Sequence, residues 1–381
     1  MGHERRNDGA DHMGAGDGAV SRGGFCRASV LAASWFVHAV IAGAAMAQVQ
    51  GTVIFNDGTK TVSGVITSVS PLLVEVGEKR FPIERIANVE FDDEPTSLKA
   101  ARRSVILRGD ARQAGEDLAN IGAEDFDNVE QLVRDELTFV KAAVEGLKGL
   151  QAGGAQLGAA EKAVRDYLAK HGASSHHAFF MHELNGRILS RAGKFDEATK
   201  AYVPFDKGPP AYQVRGKAAR GGLLVEQGKF AEAMAEYSAA AKTETNPNDE
   251  ASTRQKQEAE LGIARCLARL AKPQEAIAMV QEVLKSADPE EADLLARGYN
   301  VLGDAYRAAG KDQDAVISYL TVDLVYNSSP QNREEALYNL VQLWERGKFA
   351  ERARATREQL ESTYPNSPWV RKLKTGGAAA P

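Results

Sequence analysis

The apolar positions change period once along the chain. Between Gln48 and Pro95 they fall in short, β-branched runs: Gly51-Thr52-Val53-Ile54-Phe55, Thr61 to Thr67, Leu72 to Val76, Arg80 to Ile83 and Ile86 to Phe91. Asn56-Asp57-Gly58 and Gly77-Glu78 carry turn chemistry between them. Five short strands in so few residues predict a small all-β barrel. From Ser97 the spacing becomes three and four, which predicts helices. Leu98, Ala101, Val105 and Leu107 precede Gly109, and Ala114 and Leu118 follow it. Phe126 to Leu150 reads as a longer amphipathic helix broken by Gly153-Gly154, and Ala159 to Ala169 as another.

Further on, the helical pattern repeats. Tyr299-x2-Leu302-Gly303-x2-Tyr306 is followed by Gly310-Lys311 and then by Ala315-x3-Tyr319. Tyr299, Leu302 and Tyr306 share one helix face. Gly303 permits close approach of a partner helix, Gly310 suits a left-handed helix end, and Ala315 and Tyr319 are the small and large contacts of the second helix. Gly193-Lys194-Phe195 precedes Ala198-x3-Tyr202, and Gly228-Lys229-Phe230 precedes Ala233-x3-Tyr237. Ala271-Lys272-Pro273 precedes Ala276-x3-Val280, and Gly347-Lys348-Phe349 repeats the turn. These turns begin 35, 43, 39 and 37 residues apart. Gly186 and Gly221 stand where Gly303 stands. Arg352 occupies the small position of the fifth unit, which marks that unit as a terminal, capping repeat.

The pattern resembles that of tetratricopeptide repeat (TPR) proteins, whose period is about 34 residues. The resemblance implies a mainly α fold, a TPR-type α-solenoid preceded by the small barrel. The barrel segment is itself similar to SH3-like or Sm-like barrels. The expected organisation is a signal peptide over 1–47, the barrel over 48–95, degenerate helical hairpins over 96–172, the TPR array over 173–370 and a disordered tail over 371–381. Residues 96–172 read equally as repeats or as an unrelated helical linker.

The amino terminus carries the signal-peptide reading. Ala28 to Ala47 contains no Asp, Glu, Lys or Arg and closes on Ala45-Met46-Ala47, a small-x-small cleavage signature. Cleavage after Ala47 is expected, with Met13 a second candidate start. The alternative is an uncleaved inner-membrane anchor, because about 20 apolar residues span a bilayer. Cleavage would leave Cys266 as the one cysteine, with no intramolecular disulfide; it reads as a small buried residue.

Net charge is −5, with a pI near 5.9. In the barrel segment eight acids face four bases. That balance repels phosphate and excludes nucleic acid as a partner. In TPR proteins the concave groove is lined from the first helix of each pair. Carried over, the groove positions are Arg187, Arg191, Arg265, Arg269, Asn300, Asp304 and Arg307. The second unit supplies the less polar Gly222, Val225 and Glu226. An arginine-enriched groove implies a protein or peptide partner bearing acidic groups. The Lys/Asn carboxylate clamp of chaperone-binding TPR domains is not matched.

Candidate chemistry is sparse. His171, His176, His177 and His182 stand with Glu183, but spacings of five and six residues set no pair on one helix face. They read as a solvated helix start with Ser174 or Ser175 as N-cap, and no metal is expected. No phosphate loop, nucleophile elbow or His-Glu-x-x-His is present, so no catalytic residue and no cofactor is assigned. The Tyr364-Pro365-x-Ser367-Pro368 ending resembles that of TPR proteins of bacterial envelopes. The expectation is a non-enzymatic, protein-binding scaffold exported to the periplasm or beyond. The alternative is a membrane-tethered accessory subunit of an envelope assembly or transport complex.

Overall fold

A computed structural model describes residues 49–56, 60–127, 129–246, 249–365 and 367–375. The signal-peptide segment, the Asp57-Gly58 turn, Pro247-Asn248, Asn366 and residues 376–381 lie outside the described residues. Five strands form where the alternation predicts them: β1 Val49–Phe55, β2 Thr61–Val69, β3 Leu73–Val76, β4 Lys79–Pro82 and β5 Ile86–Phe91. All pair antiparallel in the order β4-β3-β2-β1-β5. A single 3-10 turn, Ile83–Arg85, joins the two strands at the ends of that order.

Fifteen helices follow among the described residues. Helix α1 (Thr96–Arg103) runs into a π-turn at Ser104–Arg108 and stops at Gly109, whose φ of 61° is left-handed. Helix α2 is Ala111–Ala119, α3 Gln131–Ala152 and α4 Gln156–His171. The long helix starts at Gln131 rather than Phe126, because Phe126 is buried in a 3-10 turn of its own. The sheet and these helices share one core, in which Val53, Val89 and Phe91 pack with Leu98, Phe139 and Met181. Through that core runs a buried ion network. Arg102 donates to both carboxylate oxygens of Glu94, to Glu136 at 3.3 Å and to Asn88 at 3.2 Å. It fastens the end of β5 to α1 and α3.

Five helix pairs make the array: α5 (Ala178–Arg191) with α6 (Phe195–Ala201), α7 (Pro210–Glu226) with α8 (Phe230–Ala241), and α9 (Glu250–Arg269) with α10 (Pro273–Ser286). Then come α11 (Ala292–Ala308) with α12 (Asp312–Leu324), and α13 (Pro330–Arg346) with α14 (Ala350–Thr363). Each first helix ends on a residue of positive φ: Gly193, Gly228, Ala271, Gly310 and Lys348. The next backbone N–H reaches back five residues in every case, at 2.8 to 2.9 Å, as a Schellman turn requires. The fifth turn corrects the sequence reading. Its left-handed residue is Lys348, not Gly347, so the small position moves from Arg352 to Ala353, which is buried like Ala198, Ala233, Ala276 and Ala315. Arg352 instead lays its guanidinium over Trp344 and Phe349. The 43-residue interval is filled partly by α9, which is 20 residues long against 17 for α7 in the 35-residue interval.

Helix α15 (Pro368–Lys374) closes the array and carries order past residue 370. Ser367 caps it by accepting from the Trp369 N–H, and Val370 and Leu373 bury against Leu337 and Leu360. The apolar i, i+3 pair of Val370 and Leu373 makes this segment a helix where a structureless tail was expected over 371–381.

In three of the five pairs the first and second helices meet where a tyrosine ring lies on a glycine backbone. A Cβ at Gly186 would sit 2.5 Å from Tyr202, one at Gly221 2.9 Å from Tyr237, and one at Gly303 2.6 Å from Tyr319. Tyr237 also covers Gly262 of the next pair, again at 2.6 Å. Two glycine-to-alanine changes should therefore have opposite signs. Gly303→Ala should cost about 1–3 kcal/mol through overpacking against Tyr319. Gly158→Ala, on an exposed stretch of α4 with nothing within 4 Å, should gain about 1 kcal/mol of helix propensity. Urea unfolding midpoints compare the two; equal shifts would contradict the close-approach account.

Candidate functional site

The first helices of successive pairs line a groove of about 890 Å³. Its residues come from α5 (Glu183), α7 (Arg215, Ala218, Ala219), α9 (Arg254, Gln255, Glu258, Leu261, Gly262, Arg265), α11 (Arg297, Val301) and α13 (Asn332, Glu335). Tyr237 of α8 forms part of the wall, where glycines 221 and 262 leave room for its ring. Burial pushes its hydroxyl up to about 12, so it is a neutral donor and acceptor at neutral pH.

Arg265 ties three helices together across this groove. Its Nη2 donates to Glu335 Oε1 at 3.0 Å, and its Nε lies 3.8 Å from Asp304 Oδ2. Asp304 in turn accepts from the Tyr319 hydroxyl at 2.6 Å. Glu335 and Asp304 hold the guanidinium well above its ordinary range, so it is permanently charged. Burial pushes the Glu335 carboxyl up, against the opposing pull of Arg265. Among the described residues Nε makes no hydrogen bond, and neither does Gln255 Oε1; both atoms are buried, and both residues line the groove. Leaving such a group unpaired costs about 1–3 kcal/mol.

The other arginines are matched by carboxylates. Arg215 pairs with Glu183 at 2.5 Å. Arg254 lies 3.6 to 3.8 Å from Glu258, Glu291 and Asp293, and Arg297 3.3 to 3.4 Å from Glu258 and Asp293. Four arginines and five glutamates line the groove, Glu183, Glu250, Glu258, Glu291 and Glu335. Its charge is mixed and not an excess of cation.

Of the seven residues taken from the repeat pattern, Arg265 lines this groove. Arg187 and Arg191 line a separate cavity of about 770 Å³ with Tyr202 and Glu226. Arg269 lies over the Phe230 ring at 6.0 Å. Asn300 is fully buried and braces α11 to α13 by donating to the Asn332 carbonyl at 2.8 Å, so it is not a surface contact. Arg307 donates to Asn339 Oδ1 at 2.6 Å in a similar brace. The pattern missed Arg215, Glu258, Arg297 and Glu335. All four stand six residues before the small position of their unit, at Gly221, Ala264, Gly303 and Val341. Helical periodicity puts that position on the same face as the one three residues before it, so a second turn of the same face would have shown them.

The histidine reading needs correction. His171, His176 and His177 are buried, not a solvated helix start. Helix α5 is capped from His177 with no side-chain cap bond, although Ser175 Oγ accepts from the His177 N–H at 3.0 Å. His177 Nε2 lies 2.9 and 3.1 Å from the two oxygens of Glu136, a residue of α3. Its ring stacks on Phe139 at 3.6 Å. Burial, with the neighbouring His177, lowers His176 to about 3; burial, with Arg102, holds His177 well below its usual value. His182 is separate from this cluster, and Glu183 faces the groove. Cys266 is buried, and burial pushes its thiol up to about 11, as an inert core residue requires.

No protein-family model matches the chain, and no curated protein matches its sequence. Solved structures do resemble it. One is the Rap protein complexed with competence and sporulation factor: 13% identity, 73% of this chain and 78% of that one, TM-score 0.50. A tetratricopeptide repeat protein from Parabacteroides merdae shares 16% identity over 74% and 98% of the two chains, with a TM-score of 0.49. NprR in complex with its cognate peptide NprX shares 14% over 73% and 81%, also at 0.49. At these identities the likeness is one of fold, that of a TPR-type α-solenoid; in this chain a small antiparallel sheet precedes it.

Proposed function

We propose that this chain is a binding scaffold whose partner, a peptide or an extended segment of a protein, lies in the groove of the first helices. The observation that carries this reading is a pair of buried polar atoms of groove-lining residues that make no hydrogen bond among the described residues: Gln255 Oε1, and Arg265 Nε, which has Asp304 Oδ2 at 3.8 Å. One offers a proton and the other accepts one, which is what the carbonyl and N–H of an extended main chain would take up. The half-buried Ala218 and Ala219 supply apolar surface in the same groove. The matched charges of the groove favour a ligand bearing both signs over a purely acidic one: a ligand carboxylate at Arg265 would compete with Glu335 and Asp304. The similar fold of the Rap protein, which is complexed with competence and sporulation factor, supports a groove that receives a partner.

We further propose export, with Ala28–Ala47 as the leader. The tethered alternative rests on the same segment, which lies outside the described residues; among the described residues no helix is long and apolar enough to cross a membrane. Amino-terminal sequencing of the protein from its own cells separates the two. Gln48 at the start supports export, and an intact 28–47 segment supports the tether.

Selection of a displayed random-peptide library on the protein tests the groove. Arg265→Lys keeps a positive charge beside Glu335 and removes Nε, and Gln255→Leu removes the acceptor. Each should weaken the selected peptides by about 10-fold or more, as loss of a hydrogen bond to a charged or buried group does, with the thermal midpoint held. Peptides bound equally by all three proteins would refute the groove as their site.

A further inference from the structure

A second polar centre lies away from the groove, where the sheet meets α3, α4 and the start of α5. We propose that Glu136, His176 and His177 bind a divalent transition-metal ion, with zinc the best fit, and that the site opens on the adjoining cavity between β2 and these helices. The three donors come from segments some forty residues apart and lie within 4.8 Å of one another. His176 Nε2 is 3.8 Å from Glu136 Oε1, and His177 Nε2 is 2.9 Å from Oε2. Around a four-coordinate zinc with bonds of about 2.0–2.1 Å, ligand atoms stand roughly 3.4 Å apart. The observed separations bracket that value. Imidazole nitrogen and carboxylate oxygen together are a zinc-type donor set.

Hydrogen bonds account for Glu136 and His177 but not for His176. His176 is 8% exposed, and its Nε2 has no hydrogen-bond partner among the described residues. His171, 7% exposed, also leaves its Nε2 unpartnered, and both residues line the same cavity of about 280 Å³ with Asp135, Glu136 and Tyr167. A buried imidazole nitrogen with no hydrogen bond is free to give its lone pair to a cation. Supporting contacts fix the ligands. Phe139 stacks on His177, and Arg102 holds Glu136 Oε2 at 3.3 Å, while Oε1 lies 3.1 Å from His177 Nε2 and 3.8 Å from His176 Nε2. With an ion present, His177 turns its Nε2 lone pair to the metal and carries its proton on Nδ1. Glu94, Glu136 and Asp135 offset most of the positive charge of the ion, Arg102 and Lys99. Three protein ligands leave a fourth position facing the cavity, where water or a small solute exchanges.

The test uses the full chain, stripped with chelator, dialysed against zinc alone and measured by titration calorimetry and metal analysis. One zinc per chain is expected, and cobalt in its place should show the visible absorption of a four-coordinate site. His176→Phe removes one ligand and puts an apolar ring where an unpartnered nitrogen was buried, so the fold should survive it; affinity should fall by about 100-fold or more. Glu136→Gln should act alike, but it also takes a charge from Arg102, so circular dichroism must accompany it. His182→Ala, outside the cluster, should leave binding unchanged. Absence of zinc from the stripped and reloaded protein, or equal stoichiometry and affinity in folded His176→Phe, would overturn the proposal.

Discussion

A tyrosine ring resting on a glycine backbone sets the geometry of the array. Tyr202 lies on Gly186, Tyr237 on Gly221 and Gly262, and Tyr319 on Gly303. No side chain fits between ring and backbone, so the two helices of these three pairs approach closely. In the middle of the array Tyr237 does this for two pairs at once, which fixes the spacing of α7 and α9 as well. The groove is the space left between first helices held at that spacing. Its inner ties, from Arg265 to Glu335 and from Asn300 to the Asn332 carbonyl, can form because the backbone positions beneath them are already set.

The array was legible in the sequence because its signals are local. A left-handed residue, a small residue five positions later and a large one four beyond that lie within ten residues, and each has a steric reason. The limit of such reading shows in the fifth unit. Gly347-Lys348-Phe349 copies the letters of two earlier turns, yet Lys348 takes the left-handed conformation. Gly347 serves a different need, since a Cβ there would lie 2.8 Å from the Phe349 ring. Two frames were available, and the burial of Ala353 with Arg352 stacked over Trp344 selects the later one.

Sites assembled from distant segments were not legible. Glu136 precedes His177 by 41 residues, so spacing rules along one helix could not join them. The groove shows the same limit. Its arginines stand out in the sequence because they are charged and periodic, but their carboxylate partners lie on other helices: Glu335 is 70 residues from Arg265. A count of arginines on one face therefore overstates the positive charge a ligand would meet. The sheet was legible as five strands, while its union with the helices through Arg102 and Glu94 was not, because a buried guanidinium in a helix looks like a surface residue until its partners are placed.

A partner of this chain should lie against the first helices and not on the outer surface. Hydrogen–deuterium exchange on the protein, alone and with the partner captured from its own cells, tests it directly. The account predicts slowed exchange over α7, α9 and α11, centred on residues 215–219, 254–265 and 297–301, with the exposed faces of α8, α10 and α12 unchanged. Protection confined to the second helices or to the sheet, with those segments unaffected, would contradict it.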